Sequence, residues 1–294
     1  MQTSLECIPC FIRQTIEVLH LVAPEKALKE EILRHVLKLL NEVNFSESPP
    51  QIAAKIHRLI RKMGHEEDPY RRLKHMFNQI ASSLYPQMKE EVISSQYPFG
   101  TAVRVAVAGN CMDCALVTDL DLADIHRSLR EALKAHMSVN SIAQLSAAVD
   151  AADRILYIAD NAGEIVFDRI LLEEMHPEKV TFAVRGYPVL NDATMEDAIA
   201  TELSDLVTVV DNGSDIPGTV LGECSQRFRE HFMDADLVIA KGQGNYETLN
   251  TNGKPIFFLF KAKCPVVARE MGCSQGMPVI SRTNPEMRGG EMYA

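Results

Sequence analysis

From Ile12 to about Ser95, apolar residues return at intervals of three and four: Ile16 and Leu19; Ile32, Val36, Leu39 and Leu40; Ile52, Ile56 and Ile60; Leu73, Met76 and Ile80. That spacing lays one apolar stripe along a helix. Breaks are expected at Pro24, at SESPP (46–50) and around Pro86, so the first third reads as an all-helical region. A further helix is expected from Phe99 to Ala108, stopping near Gly109, and others over 122–137 and 140–151. After Asp153 the pattern shortens to runs rich in Ile, Val, Leu and Phe: RILYIAD, KVTFAVR, DLVTVVD, DLVIAKG, PIFFLFK and MPVISR. Helix-like segments separate most of them. Nearly continuous apolar strands alternating with helices predict a parallel sheet covered on both faces.

In open sheets of this kind ligands bind beyond the carboxyl ends of the strands. Those ends carry Asp160 with Asn161, Arg185, Asp211 with Asn212, Lys241 with Gly242, and Lys261. At YIADNAGEIVFDRILLEEM (157–175) a strand runs straight into a helix, with Asp160, Asn161, Gly163 and Glu164 at the join. A carboxylate beside an amide oxygen suits a hard divalent cation. Gly163 would let a ligand approach the backbone, and the helix start would favour phosphate. Asn161 and Glu164 also match a capping box, a purely local reading. A second corner, VRGYPVLNDATMEDA (184–198), brings Asn191 and Asp192 to a helix start; Asp192 is either a second carboxylate for the same crevice or a cap.

Charge narrows the partners. The 294 residues carry a formal net charge of −10, which argues against broad nucleic-acid binding. No segment is apolar for long enough to span a bilayer, and MQTSLECIPCFIRQT lacks the basic-then-apolar order of a secretory signal. Seven cysteines, an odd number, fit a reducing compartment, and a cytoplasmic location is expected. The histidines show no HExxH pair, and His20, His35 and His57 read as helix residues. KGQGN after the fourth apolar run lacks the GK[ST] ending of a P-loop, and no Gly-x-Ser-x-Gly elbow occurs.

DNAGE (160–164), RGYPVLNDAT (185–194), DNGSDIPGT (211–219) and KGQGNYE (241–247) together resemble the motif series of the metal-dependent damage-control phosphatases, the family of domain of unknown function 89. Gly109-Asn110-Cys111-Met112-Asp113 resembles that family's Gly-Asn-x-x-Asp element, and Cys7-Ile-Pro-Cys10 the CxxC of its first subfamily. The resemblance implies an α/β fold: a three-layer α/β/α Rossmann-like domain with a mainly parallel sheet (96–294) and an all-helical N-terminal region (1–95). It implies a phosphatase acting on small phosphorylated metabolites, sugar phosphates or phosphopantetheine-like compounds, with one divalent ion (Mg, Mn, Co or Ni). Asp160, Asn161 and Asp192 would be the ligands. Asn110, Asp113, Arg185, Lys241 and Asn245 would line the same pocket, with Gly163, Gly213 and Ser214 among the substrate contacts.

Expected chemistry follows. Water attacks phosphorus directly, since Ala162 stands where an aspartyl-phosphate enzyme would place its second acid; Asp160 as nucleophile is the alternative. Lys241 and Arg185 would offset charge on the transferring group, and Glu164 or Asp113 would take the water's proton. Cys7 and Cys10 could join Cys111 and Cys114 in a structural zinc site, although the pairs are far apart; a reduced thiol pair is the simpler reading. Two rivals stand: a metabolite-binding protein without turnover, and an S-adenosylmethionine-dependent methyltransferase. The tail TNPEMRGGEMYA is expected to be loosely ordered.

Overall fold

The computed structural model describes residues 1–23, 25–110 and 122–283. The expected break at Pro24, the CMDC element with Cys111, Asp113 and Cys114, and the tail beyond Thr283 lie outside the described residues. The helical period of the first third gives α1 (Cys7–Val22), α2 (Lys26–Asn41), α3 (Pro49–Gly64) and α4 (Arg71–Ile93). Within SESPP, Ser48 and Gln51 close a capping box, and Pro49 and Pro50 occupy the first turn, where a missing N–H costs nothing. Ile52, Ile56 and Ile60 of α3 pack with Val18 and Leu19 of α1 and Ile32 and Val36 of α2 in a small separate core.

The break expected around Pro86 does not occur: α4 runs through it. An interior proline costs roughly 3 kcal/mol. Here burial on both sides, Phe77, Ala81 and Leu84 before it and Met88 and Val92 after, offsets that cost by packing α4 onto the sheet's own helical layer. The next helices are α5 (Pro98–Ala108), α6 (Leu122–Lys134) and α7 (Val139–Ala151). Gly109 follows α5 with a right-handed φ of −54°, so it is no left-handed stop. Its reason is space: a Cβ there would lie 2.8 Å from the Phe167 ring.

Each of the apolar runs forms a strand: β1 (Ile155–Ile158), β2 (Val180–Val184), β3 (Thr208–Asp211), β4 (Leu237–Lys241), β5 (Ile256–Lys261) and β6 (Pro278–Arg282). Between them lie α8 (Glu164–Glu173), α9 (Met195–Ala200), α10 (Gln226–Asp234), α11 (Gln243–Leu249) and α12 (Pro265–Glu270). The sheet order is β3-β2-β1-β4-β5-β6, parallel except for β6, which runs antiparallel to β5. Alternation sends Ile155, Tyr157, Phe182 and Ile239 to a face covered by α4, α5 and α8, and Leu156, Ile158, Val238 and Phe258 to a face covered by α10, α11 and α12. The result is a mainly parallel α/β/α Rossmann-like core with a helical N-terminal region. Strand order reverses between β1 and β4, which opens a crevice at their carboxyl ends. Among the described residues no helix is long and apolar enough to cross a membrane.

Candidate active site

The loop after β2 is laid against the loop after β1 as a short ladder. Ala162 N donates to Asn191 O at 2.8 Å, Ala193 N donates to Asp160 O at 2.8 Å, and Asn161 and Asp192 form an antiparallel bridge. This registers Asp160, Asn161 and Asp192 on one cleft of about 200 Å³ at the switch point. Just before it, Leu190 holds a left-handed φ of 48°, a strained conformation that turns the chain towards Asp192.

Neither acid caps a helix. The N-cap of α8 is Gly163, without a side-chain cap bond, and Thr194 with Asp197 caps α9. Asp192 is instead gripped by buried Arg185, whose Nε donates to Oδ2 at 2.6 Å. The amide of Asn161 donates to Asp160 Oδ2 at 2.7 Å and to Glu164 Oε2 at 2.8 Å. An amide held so presents its oxygen on the opposite side.

Behind this layer lies a buried ionic network. Glu164 Oε2 also takes Asn110 Nδ2 at 2.8 Å, and Glu164 Oε1 faces Lys241 Nζ at 2.8 Å. Lys241 further donates to Ala106 O at 2.8 Å and to Asp168, which accepts from Tyr157 OH at 2.9 Å. One ammonium thus serves two carboxylates in a fully buried space. Burial holds the Asp168 carboxyl well above its usual range, with Lys241 opposing it. Burial works against the charge on Lys241, but Asp168 and Glu164 more than offset this and raise its pKa.

The remaining expected site residues fall elsewhere. Lys241 and Arg185 do not line the cleft; each supports it from beneath. Asn245 ties the two central strands together, donating to Ala159 O at 3.0 Å and to Lys241 O at 2.7 Å, while its Oδ1 accepts from Thr219 and Arg185. Gly163, expected to admit a ligand, admits α4: a Cβ there would meet Phe77 at 2.9 Å, and Gly163 N donates to Asn78 Oδ1 at 2.7 Å. With Ile165 N on Asn161 O and Val166 N on Gly163 O, the start of α8 is no open phosphate cradle. Gly213 packs against Ser225 and Gly186, and Ser214 O accepts from Gly186 N and Tyr187 N, so both shape a turn.

Several contributors were not picked out in the sequence. Asn78 links the two corners, since its Nδ2 also donates to Asp197 at 2.9 Å. Asp168 stands one helical turn from Glu164 on the buried side of α8, and that spacing was the available signal. The outer wall comes from distant segments: Cys7, Cys10 and Phe11 of α1, Pro49, Pro50 and Ala53 of α3, then Glu247, Lys263 and Cys264. Burial pushes the Glu247 carboxyl up to about 7, its hydrogen bond from Gln243 opposing.

Comparison with known proteins decides what this arrangement belongs to. The damage-control phosphatase ARMT1-like domain matches residues 3–279. The chain belongs to the damage-control phosphatase ARMT1-like domain family. A protein named damage-control phosphatase from Archaeoglobus fulgidus is 35% identical over 287 residues, covering 94% of this chain and 97% of that protein. Damage-control phosphatase PH1575 of Pyrococcus horikoshii is 33% identical, covering 96% of this chain and 98% of its own. The crystal structure of that duf89 family protein superposes with a TM-score of 0.87 at 32% identity, covering 97% of this chain and all of the other. Membership in the ARMT1-like family supports phosphatase activity in general.

Proposed function

We propose that this chain is a metal-dependent phosphatase hydrolysing small phosphorylated metabolites, a sugar phosphate or a phosphopantetheine-like compound, in a housecleaning role. The observation that carries this reading is the registration of Asp160, Asn161 and Asp192 on one cleft by the backbone bridge between Asn161 and Asp192. Among the described residues no group of three or more His, Cys, Asp or Glu side chains is placed to hold an ion. The set here is two carboxylates and an amide, all oxygen donors, which suits Mg, Mn, Co or Ni with water and substrate completing the shell. Gly242 leaves room for one of these carboxylates: a Cβ there would lie 2.0 Å from Asp160 Oδ2, so only glycine lets the carboxylate occupy its position.

The cation would polarise a phosphoryl oxygen and offset charge as the group transfers. The protein's own contribution is orientation. Glu164, anchored by Lys241, turns the Asn161 amide, and Arg185 holds Asp192 from behind. Glu164 Oε2 takes the Asn110 and Asn161 amides and Oε1 is ion-paired to the Lys241 ammonium, so we assign Glu164 and Lys241 to positioning rather than to proton transfer or substrate contact. Water attack on phosphorus is our reading, with Ala162, not an acid, two residues after Asp160. The wall of α1 and α3 would receive the metabolite's body, and Lys263 offers a rim cation. The CxxC pair accords with the family's first subfamily, and the free thiols accord with a cytoplasmic setting.

A phosphate-release screen over a panel of metabolite esters, with each divalent ion in turn, tests the proposal. Release that needs an ion and stops on chelation is the expected result. Saturable metabolite binding with no phosphate released under any ion would replace the enzyme with a binding protein.

A further inference from the structure

The cleft carries chemistry that phosphoryl transfer does not use. Cys7 and Cys10 lie one turn apart at the start of α1 and Cys264 precedes α12, and all of them line the cleft that holds Asp160 and Asp192. Cys264 is fixed, its Sγ accepting from Val267 N and from Gln243 Nε2, each at 3.4 Å. The α1 pair is placed differently. Cys10 reaches solvent, and Cys7 is half-buried with its Sγ 3.5 Å from Ser4 Oγ.

Helical neighbours three apart hold their Cβ atoms about 5–6 Å apart. A disulfide needs about 3.8 Å. Closing the pair therefore requires the first turn of α1 to tighten. That turn has no side-chain cap: Glu6, its N-cap, is held instead by Arg269 of α12 at 2.7 and 2.8 Å. Tightening would be passed to the cleft wall, because Phe11 follows on the same helix and lines the same space.

We propose that Cys7 and Cys10 form a thiol-modification site that takes a low-molecular-weight disulfide, and that closing the pair reshapes the cleft wall and weakens metabolite binding. The first half stands by itself; the second rests on the phosphatase reading. Cys10, deprotonated to water, attacks one sulfur of the small disulfide; its S–S bond breaks and one thiolate leaves, taking up a proton. Cys7, deprotonated in turn, attacks Cys10 Sγ and expels the second small thiol. Two protein thiols are oxidised and one disulfide is reduced to two thiols. The thiolate is the attacking species, so exchange should quicken as pH rises.

The test equilibrates the full chain against glutathione buffers of increasing oxidising poise. Thiols are then trapped and counted by intact mass, bridges are mapped by peptide, and kinetics are read with p-nitrophenyl phosphate and Mn²⁺. Expected are loss of two thiols, a Cys7–Cys10 bridge, and a KM raised roughly tenfold while kcat holds, all reversed by dithiothreitol. Cys10→Ser should form neither bridge nor mixed disulfide at this pair and keep its KM at every poise, whereas Cys7→Ser should stop at a mixed disulfide carrying one glutathione on Cys10. Thiols that stay free at the most oxidising poise, a bridge that joins Cys264 instead, or a Cys7–Cys10 bridge that leaves KM unmoved would overturn the proposal. Trapping needs no turnover, so a reduced protein that forms the bridge but hydrolyses nothing refutes the phosphatase reading and the KM effect, while the thiol site stands.

Discussion

The corners on either side of the switch point share one local design and put it to opposite uses. After β1 the chain places Asp160 and Asn161 and then Gly163 at φ 76°; β4 ends in Lys241, and Gly242 follows at φ 82°. The first corner turns oxygens into the cleft. The second sends its cation beneath, onto Glu164, Asp168 and Ala106 O. Strand alternation explains the difference. Lys241 is still in β4 and points to the same face as Leu237 and Ile239, under α5 and α8, whereas Asp160 lies beyond the end of β1.

Breaking the first corner should have the largest effect on turnover. Asp160→Asn should lower metal-dependent phosphate release by at least about 10²-fold while leaving thermal unfolding nearly unchanged; Asp192→Asn should lower it as far and also cost stability, because it leaves buried Arg185 without its carboxylate. Activity in either variant equal to the parent's would remove it from the ligand set. Breaking the second corner should instead strike stability. Lys241→Met strands Glu164 and Asp168 without a cation and should cost about 3–5 kcal/mol in denaturant unfolding. A stable Lys241→Met protein with lost turnover would return the lysine to the substrate.

The two glycines sharpen the same contrast. Either Gly→Ala change forces a left-handed residue to carry a Cβ, at about 1–3 kcal/mol. Gly242→Ala also pushes into the Asp160 carboxylate and should abolish ion binding, whereas Gly163→Ala meets Phe77 of α4 and should act mainly through stability. Calorimetric ion titration beside unfolding curves separates them. A smaller effect comes from a buried base given no carboxylate. Burial, then Arg61, lowers His57 to about 4, and its Nε2 has no hydrogen-bond partner. The unfolded chain takes up that proton near pH 6.5 and the folded chain does not, so the contribution of this histidine to stability should fall as pH drops from 6.5 towards 4, read as the difference between the parent and His57→Gln. By pH 5 the loss should be about 2 kcal/mol, absent in His57→Gln.

Much of this was legible in the sequence because it is local. The strands were set by their apolar runs, and the paired corners by acids and glycines at the run ends. Pro86 misled because burial of Leu84 and Met88 on either side outweighs a missing amide bond. Lys241 and Arg185 were readable as strand-end cations, but which face each points to depends on where pairing stops. The cleft's outer wall was not readable, since Cys7, Phe11 and Pro49 meet Asp160 only through long-range packing of the helical region.

Whether Asp160, Asn161 and Asp192 hold an ion is read by Mn²⁺ titration of the metal-stripped protein, with free ion followed by electron paramagnetic resonance. One ion should bind per chain, and none at the same concentrations in Asp160→Asn or Asp192→Asn. A parent that binds no ion, or variants that bind as tightly as the parent, would contradict that ligand set.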